Sequence, residues 1–193
     1  PSFARHAEAF TARLIEIRAA IKPADGYASL VALVAAPGAP ATWLRALGEG
    51  LRRAGSSIDA IDTEKKLAAV FARATTEATD ASQPAAARLA ALDLLAVATP
   101  AQSRTAFTTC IAAGQAEEVQ AAALRALGQQ TSAEVTATLL KGWGGYGPKA
   151  RDAALALLVA REDRALALLQ AIQKGAVQAT ELAASQVQTL THH

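Results

Sequence analysis

Methionine is absent from this 193-residue chain, cysteine occurs once, and Phe, Trp and Tyr together make up 4% of it. With Cys110 alone, neither an internal disulfide nor a C-x-x-C-H haem attachment motif can form. Residue types that favour strands are too thinly spread for a sheet. A chain without methionine that opens at Pro1 is expected to be a segment of a longer protein, and no signal or transit pattern precedes Pro1. Histidine is equally scarce: His6 reads as a helix-surface residue, and His192-His193 lacks the i, i+4 spacing of a helical metal pair.

An excess of one charge is also lacking. Nineteen basic residues face seventeen acidic ones, giving a formal net charge of +2. The pI near 9.0 looks basic, but interspersed charges of so small an excess set up no strong field for nucleic acid or anionic lipid. No apolar run approaches the ~20 residues that a membrane-spanning helix needs. Cys110, in "RTAFTTCIAAG", sits on the apolar side of an expected helix and reads as a buried structural thiol.

Alanine is what the chain has most of, roughly a quarter of all residues and far above ordinary usage. It forms helices well and lets helix axes approach closely. Hydrophobic periodicity, cut by Gly and Pro, predicts helices at about 3–21, 27–35, 41–54, 63–78, 87–96, 101–113, 119–128, 132–143, 150–160, 163–174 and 180–190. Beyond Pro84 the segments "ARLAALDLLA", "VQAAALRALG" and "ARDAALALLVA" repeat one another. Their equivalent leucines, Leu92, Leu124 and Leu155, recur every 31–32 residues, the interval of a helical-hairpin repeat. The expected fold is all-α, a HEAT-like α-α superhelix of stacked antiparallel hairpins. Divergent hairpins fill residues 1–80, and three to four repeats continue from them through 81–193.

Boundary chemistry supports this division. Thr99-Pro100-Ala101-Gln102 reads as a capping box with proline at the first helical position, and Thr131-Ser132-Ala133-Glu134 as a second box. Gly114 and Gly175 stand where a helix should end, and Gly147-Pro148 where one should begin. The expected apolar stripes are Leu89, Leu92 and Leu95; Leu124 and Leu127; Leu155 and Leu158; and Leu166, Leu169 and Ile172. One hairpin cannot bury such a stripe, whereas stacked neighbours can.

No catalytic, cofactor-binding or metal-binding set can be assembled from these residues. "KGWGGYGP", Lys141 to Pro148, lacks the strand–loop–helix setting and trailing Lys-Ser/Thr of a phosphate loop. Its Trp143 and Tyr146 read first as aromatics covering the end of a hairpin, and second as an exposed platform contacting a partner. Arg52-Arg53, Lys65-Lys66, Arg88, Arg151, Arg161 and Arg164 are interrupted by acids such as Glu117, Glu118, Asp152, Glu162 and Asp163. They read as solvated charges, with a nucleic-acid groove of the kind found in HEAT-like alkylation-repair proteins as the alternative.

The run from Leu139 to His193, with Trp143 before its turn, Pro148 and Arg151 opening the next helix, Arg161, "ALLQAIQKGAV" and the final "LTHH", resembles the helical-repeat region of large PVC-type haem-binding cytochromes. "WLRALGEGLRRAG" and "RLAALDLLA" fit the same family more loosely. The resemblance implies a non-catalytic spacer or docking region, outside the cytoplasm, between a sugar-dehydrogenase-like β-propeller and a c-type cytochrome domain. Its partners would be neighbouring domains of the same polypeptide or another protein. The haem ligands and the propeller site would lie elsewhere, so this segment carries no cofactor of its own.

Overall fold

The structure, a computed structural model, describes residues 2–23, 26–130, 132 and 134–192. These form twelve α-helices and two 3-10 turns, with no strand among the described residues. The helices are α1 (Ser2–Ala20), α2 (Ala28–Ala35), α3 (Ala41–Arg53), α4 (Ile58–Ile61), α5 (Ala68–Thr79), α6 (Ala85–Leu95), α7 (Pro100–Cys110), α8 (Glu117–Gly128), α9 (Glu134–Lys141), α10 (Pro148–Val159), α11 (Glu162–Gln173) and α12 (Ala184–Thr191).

One row of helices runs α1, α3, α6, α8, α10, α12, each packed on the next. Against it lie α5 on α6 and α7, α7 and α9 on α8, and α11 on α9 and α10. The segments 1–80 and 81–193 are joined by α3 and α5, both of which touch α6. The three equivalent leucines fall in the core: Leu92 and Leu124 are 0% exposed and Leu155 is 1% exposed.

Local chemistry sets the helix ends. Thr99 and Gln102 form the capping box, Gln102 N–H donating to Thr99 Oγ1 at 3.3 Å and Thr99 N–H to Gln102 Oε1 at 3.0 Å. Gly114 and Gly175 take φ of +85° and +73°, a region that only glycine enters without steric cost. In the second expected box, Thr131 and Ala133 lie outside the described residues, while Ser132 Oγ accepts from Glu134 N–H at 3.2 Å.

Several expectations are corrected. The helix expected over 63–78 begins only at Ala68. Lys65 has φ +57°, and the carboxylate of Asp62 takes the N–H groups of Lys66 and Leu67 at 2.8 and 2.9 Å, so the chain turns there before α5 starts. The helix expected over 132–143 ends at Lys141, because the glycine-rich run tightens into a 3-10 turn at Trp143–Gly145. The last expected helix divides into a 3-10 turn at Ala179–Glu181 and α12. The stripe assigned to α11 is rotated: Ala165, Leu168 and Ala171 are buried, while Leu166 and Leu169 are 58% and 47% exposed. Period alone marks an amphipathic helix but does not say which of two leucine-bearing faces meets the neighbour.

Candidate functional site

The aromatic turn after α9 is where the sequence concentrates its conspicuous residues. Trp143 and Tyr146 are 5% and 4% exposed, so they cannot form an open platform, and that expectation is corrected. The glycines explain the burial. A Cβ added at Gly142 would lie 2.4 Å from Tyr146 Oη, so only glycine lets the tyrosine fold back onto the end of α9. The two rings meet edge to face, 6.1 Å between centroids at 67°.

Glu181 gathers the surroundings of Trp143. Its Oε2 accepts from Trp143 Nε1–H at 3.0 Å and from Gln178 N–H at 3.1 Å, and its Oε1 accepts from the Arg151 guanidinium. The Arg151 guanidinium carbon lies 5.9 Å from the Trp143 ring centroid, a cation–π distance. One carboxylate thereby ties the segment before α12 to α10 and to the aromatic turn. Beside it opens a cleft of about 410 Å³ lined by Tyr146, Pro148, Arg151, Asp152 and Glu181.

This clamp is one rung of a ladder that recurs with the repeat. Arg88, Gln120 and Arg151 each stand four residues before an equivalent leucine, and each reaches forward into the next unit. Arg88 donates through Nη2 to Gln115 Oε1 at 2.8 Å, Gln120 Oε1 accepts from Gly147 N–H at 3.3 Å, and Arg151 pairs with Glu181. The first two also hold the preceding unit. Arg88 Nε donates to the Ala78 carbonyl near the end of α5 at 2.9 Å, and Gln120 Nε2 to that of Ala112 at 2.8 Å, while Gln120 Nε2 also reaches forward to the Gly145 carbonyl at 3.1 Å. The sequence signal for this was available: a long polar side chain in register at a helix position otherwise facing the core.

The chemistry of these groups is that of fixation. Burial pushes the Tyr146 hydroxyl up to about 12, and the hydroxyl finds no protein partner. The Cys110 thiol is fully buried, donates to the Ala78 carbonyl at 3.3 Å, and is raised by desolvation away from thiolate formation. No group of His, Cys, Asp or Glu able to hold a metal occurs among the described residues. Many cations stand beside acids: Arg45 with Asp93 at 3.0 Å, Arg104 with Glu134 at 2.8 Å, Arg53 with Glu16 at 2.6 Å and Arg161 with Asp163 at 3.0 Å. No helix among the described residues is long and apolar enough to cross a membrane.

Most of the exposed large apolar side chains lie on the first helix and on the last two, with Leu33 of α2 apart from them. Phe3, Phe10, Leu14, Ile17 and Ile21 stand out along α1, and Leu166, Leu169 and Val187 along α11 and α12. Comparison with protein-family models, with curated proteins and with solved structures gives no match.

Proposed function

We propose that this chain is a non-catalytic docking scaffold, a HEAT-like α-α superhelix that holds a neighbouring domain or another protein. The observation that carries the reading is the ladder at Arg88, Gln120 and Arg151. The buried Arg88 and Gln120 and the partly exposed Arg151 join one hairpin to the next and do not converge on a reacting atom. The resemblance of its C-terminal half to the helical region of PVC-type cytochromes supports a more specific form. In that form the scaffold sits outside the cytoplasm, between a β-propeller dehydrogenase domain and a c-type cytochrome domain.

Calorimetric titration of the chain against those two purified domains tests the proposal, with saturable binding to at least one expected. Binding to duplex DNA that collapses steeply with salt would instead establish the nucleic-acid alternative. Substrate turnover by the chain alone would overturn the non-catalytic reading.

A further inference from the structure

Helix α1 is anchored along one face and bare along the other. On the anchored face, Ile15 and Ala19 are 3% and 0% exposed, and Arg53 pairs with Glu16. A Cβ added at Gly50 of α3 would lie 2.3 Å from the Glu16 carbonyl, so the two helices cross in close contact. The opposite face carries Phe3, Ala7, Phe10, Leu14, Ile17 and Ile21, whose spacing of 4, 3, 4, 3 and 4 is that of a coiled-coil seam. At 100° per residue these six fall within an arc of about 80°. Phe3, Phe10 and Ile21 are 85%, 67% and 69% exposed, Leu14 and Ile17 50% and 45%.

We propose that this seam is the dimer interface between two copies of the chain, packed antiparallel, α1 against α1. Three observations select a second copy as the occupant. The spacing is palindromic: reversing the helix sets Phe3 opposite Ile21, Ala7 opposite Ile17 and Phe10 opposite Leu14, so every seam residue meets a complementary one. The five large side chains expose roughly 600 Å² per copy, so that two copies together reach about 1,200 Å², the lower end of what a specific interface buries. A patch of that size is also at the upper limit for a protein that stays monomeric. Finally, α1 is the first helix of the row among the described residues and has its main packing partner, α3, on the other side. A two-fold axis at the bare face closes the assembly.

Charge fixes the direction. A parallel pair would set Arg13 of each helix opposite Arg18 of the other, two like-charge contacts. The antiparallel pair brings together only the two Arg13 side chains, each already held by its own Glu16 at 2.7 Å. Added salt therefore tightens this dimer, whereas it would loosen attachment to an anionic membrane.

Sedimentation equilibrium of the full chain is expected to give twice the 19.8 kDa monomer mass at micromolar concentration, more tightly as salt rises. Phe10→Asp with Leu14→Asp is expected to weaken association on the order of 100-fold or more, with helical circular dichroism unchanged because neither residue enters the core. A mixture of Phe3→Cys and Ile21→Cys chains should form a disulfide that Ile21→Cys alone does not; the native Cys110 is buried. A chain that remains monomeric at millimolar concentration would overturn the proposal. So would association abolished by Leu166→Asp with Leu169→Asp, which would mean head-to-tail contact, or flotation of the monomer with anionic vesicles through α1.

Discussion

Gln120 and Gly147 are 27 residues apart in the chain and joined by a hydrogen bond, the Gly147 N–H donating to Gln120 Oε1 at 3.3 Å. The same carboxamide donates to the carbonyl of Ala112 at 2.8 Å, so one 2%-exposed side chain holds the turn before α8 and the turn before α10. Replacing it with leucine keeps the volume but leaves these backbone groups without a partner. Gln120→Leu is expected to cost about 2–4 kcal/mol in urea denaturation, because buried unsatisfied groups forfeit their hydration. A loss below the error of the measurement would mean that water replaces the amide.

Gly142 and Tyr146 give a second, coupled prediction. Alanine is a better helix former than glycine, so at an exposed position Gly142→Ala would stabilise. Here the new methyl meets Tyr146 Oη, and the substitution is expected to cost about 1–3 kcal/mol. Tyr146→Phe removes a buried hydroxyl that has no protein partner and should be close to neutral. Because the same methyl would also lie 2.7 and 2.8 Å from the Tyr146 ring carbons Cζ and Cε1, Tyr146→Phe should recover little of the loss. Tyr146→Ala removes the ring, and a double-mutant cycle of Gly142→Ala with Tyr146→Ala that shows no coupling would exclude the contact.

The Tyr146 hydroxyl also fixes a pH dependence. Its folded value is raised by burial from 10.0 to about 12, so the folded state keeps a proton that the unfolded chain releases first. The associated stability is complete below pH ~10 and is lost as pH climbs toward ~12, a fall of about 2–3 kcal/mol over that interval. Denaturation at pH 9 and pH 11.5 should show wild type losing more stability than Tyr146→Phe. Equal losses would place the dependence elsewhere.

Leu124 and Leu166 separate what the sequence makes legible from what it hides. The 31–32-residue interval identifies Leu92, Leu124 and Leu155 because three copies of one environment must repeat its core residue. No such copy constrains α11, whose leucines occupy both faces, so Leu166 and Leu169 look like core from the sequence and stand exposed in the structure. Leu124→Ala is accordingly expected to cost about 2–5 kcal/mol, and Leu166→Ala to stay within about 0.5 kcal/mol. Comparable losses at both positions would return α11 to its sequence-based orientation.

The aromatic turn was legible as a turn and illegible as a site, for a related reason. Glycines announce a break in helix, but Glu181, which organises Trp143 and Arg151, lies 38 residues after Trp143 in an unremarkable stretch. The seam on α1 escaped for the opposite reason. Its residues satisfy an amphipathic helix equally well whether the apolar side faces inward or outward, and only the packing of Ile15 and Ala19 against α3 settles the direction.

Lys65 gives the last prediction. The break between α4 and α5 depends on its φ of +57°, a conformation that costs a side-chain-bearing residue about 1–2 kcal/mol and glycine little. Its ammonium is 4.0 Å from Asp59 in a pair whose side chains are 74% and 67% exposed, which contributes next to nothing in water. The strain is held in place by Asp62, 7% exposed, whose carboxylate takes two backbone N–H groups at the start of α5. Lys65→Gly should therefore stabilise by about 0.5–1 kcal/mol, reduced from the full strain by the added freedom of glycine in the unfolded chain. Asp62→Ala should destabilise by about 1–2 kcal/mol. If Lys65→Gly destabilises while Asp62→Ala is neutral, the segment continues as helix through Lys65, as its periodicity alone suggests.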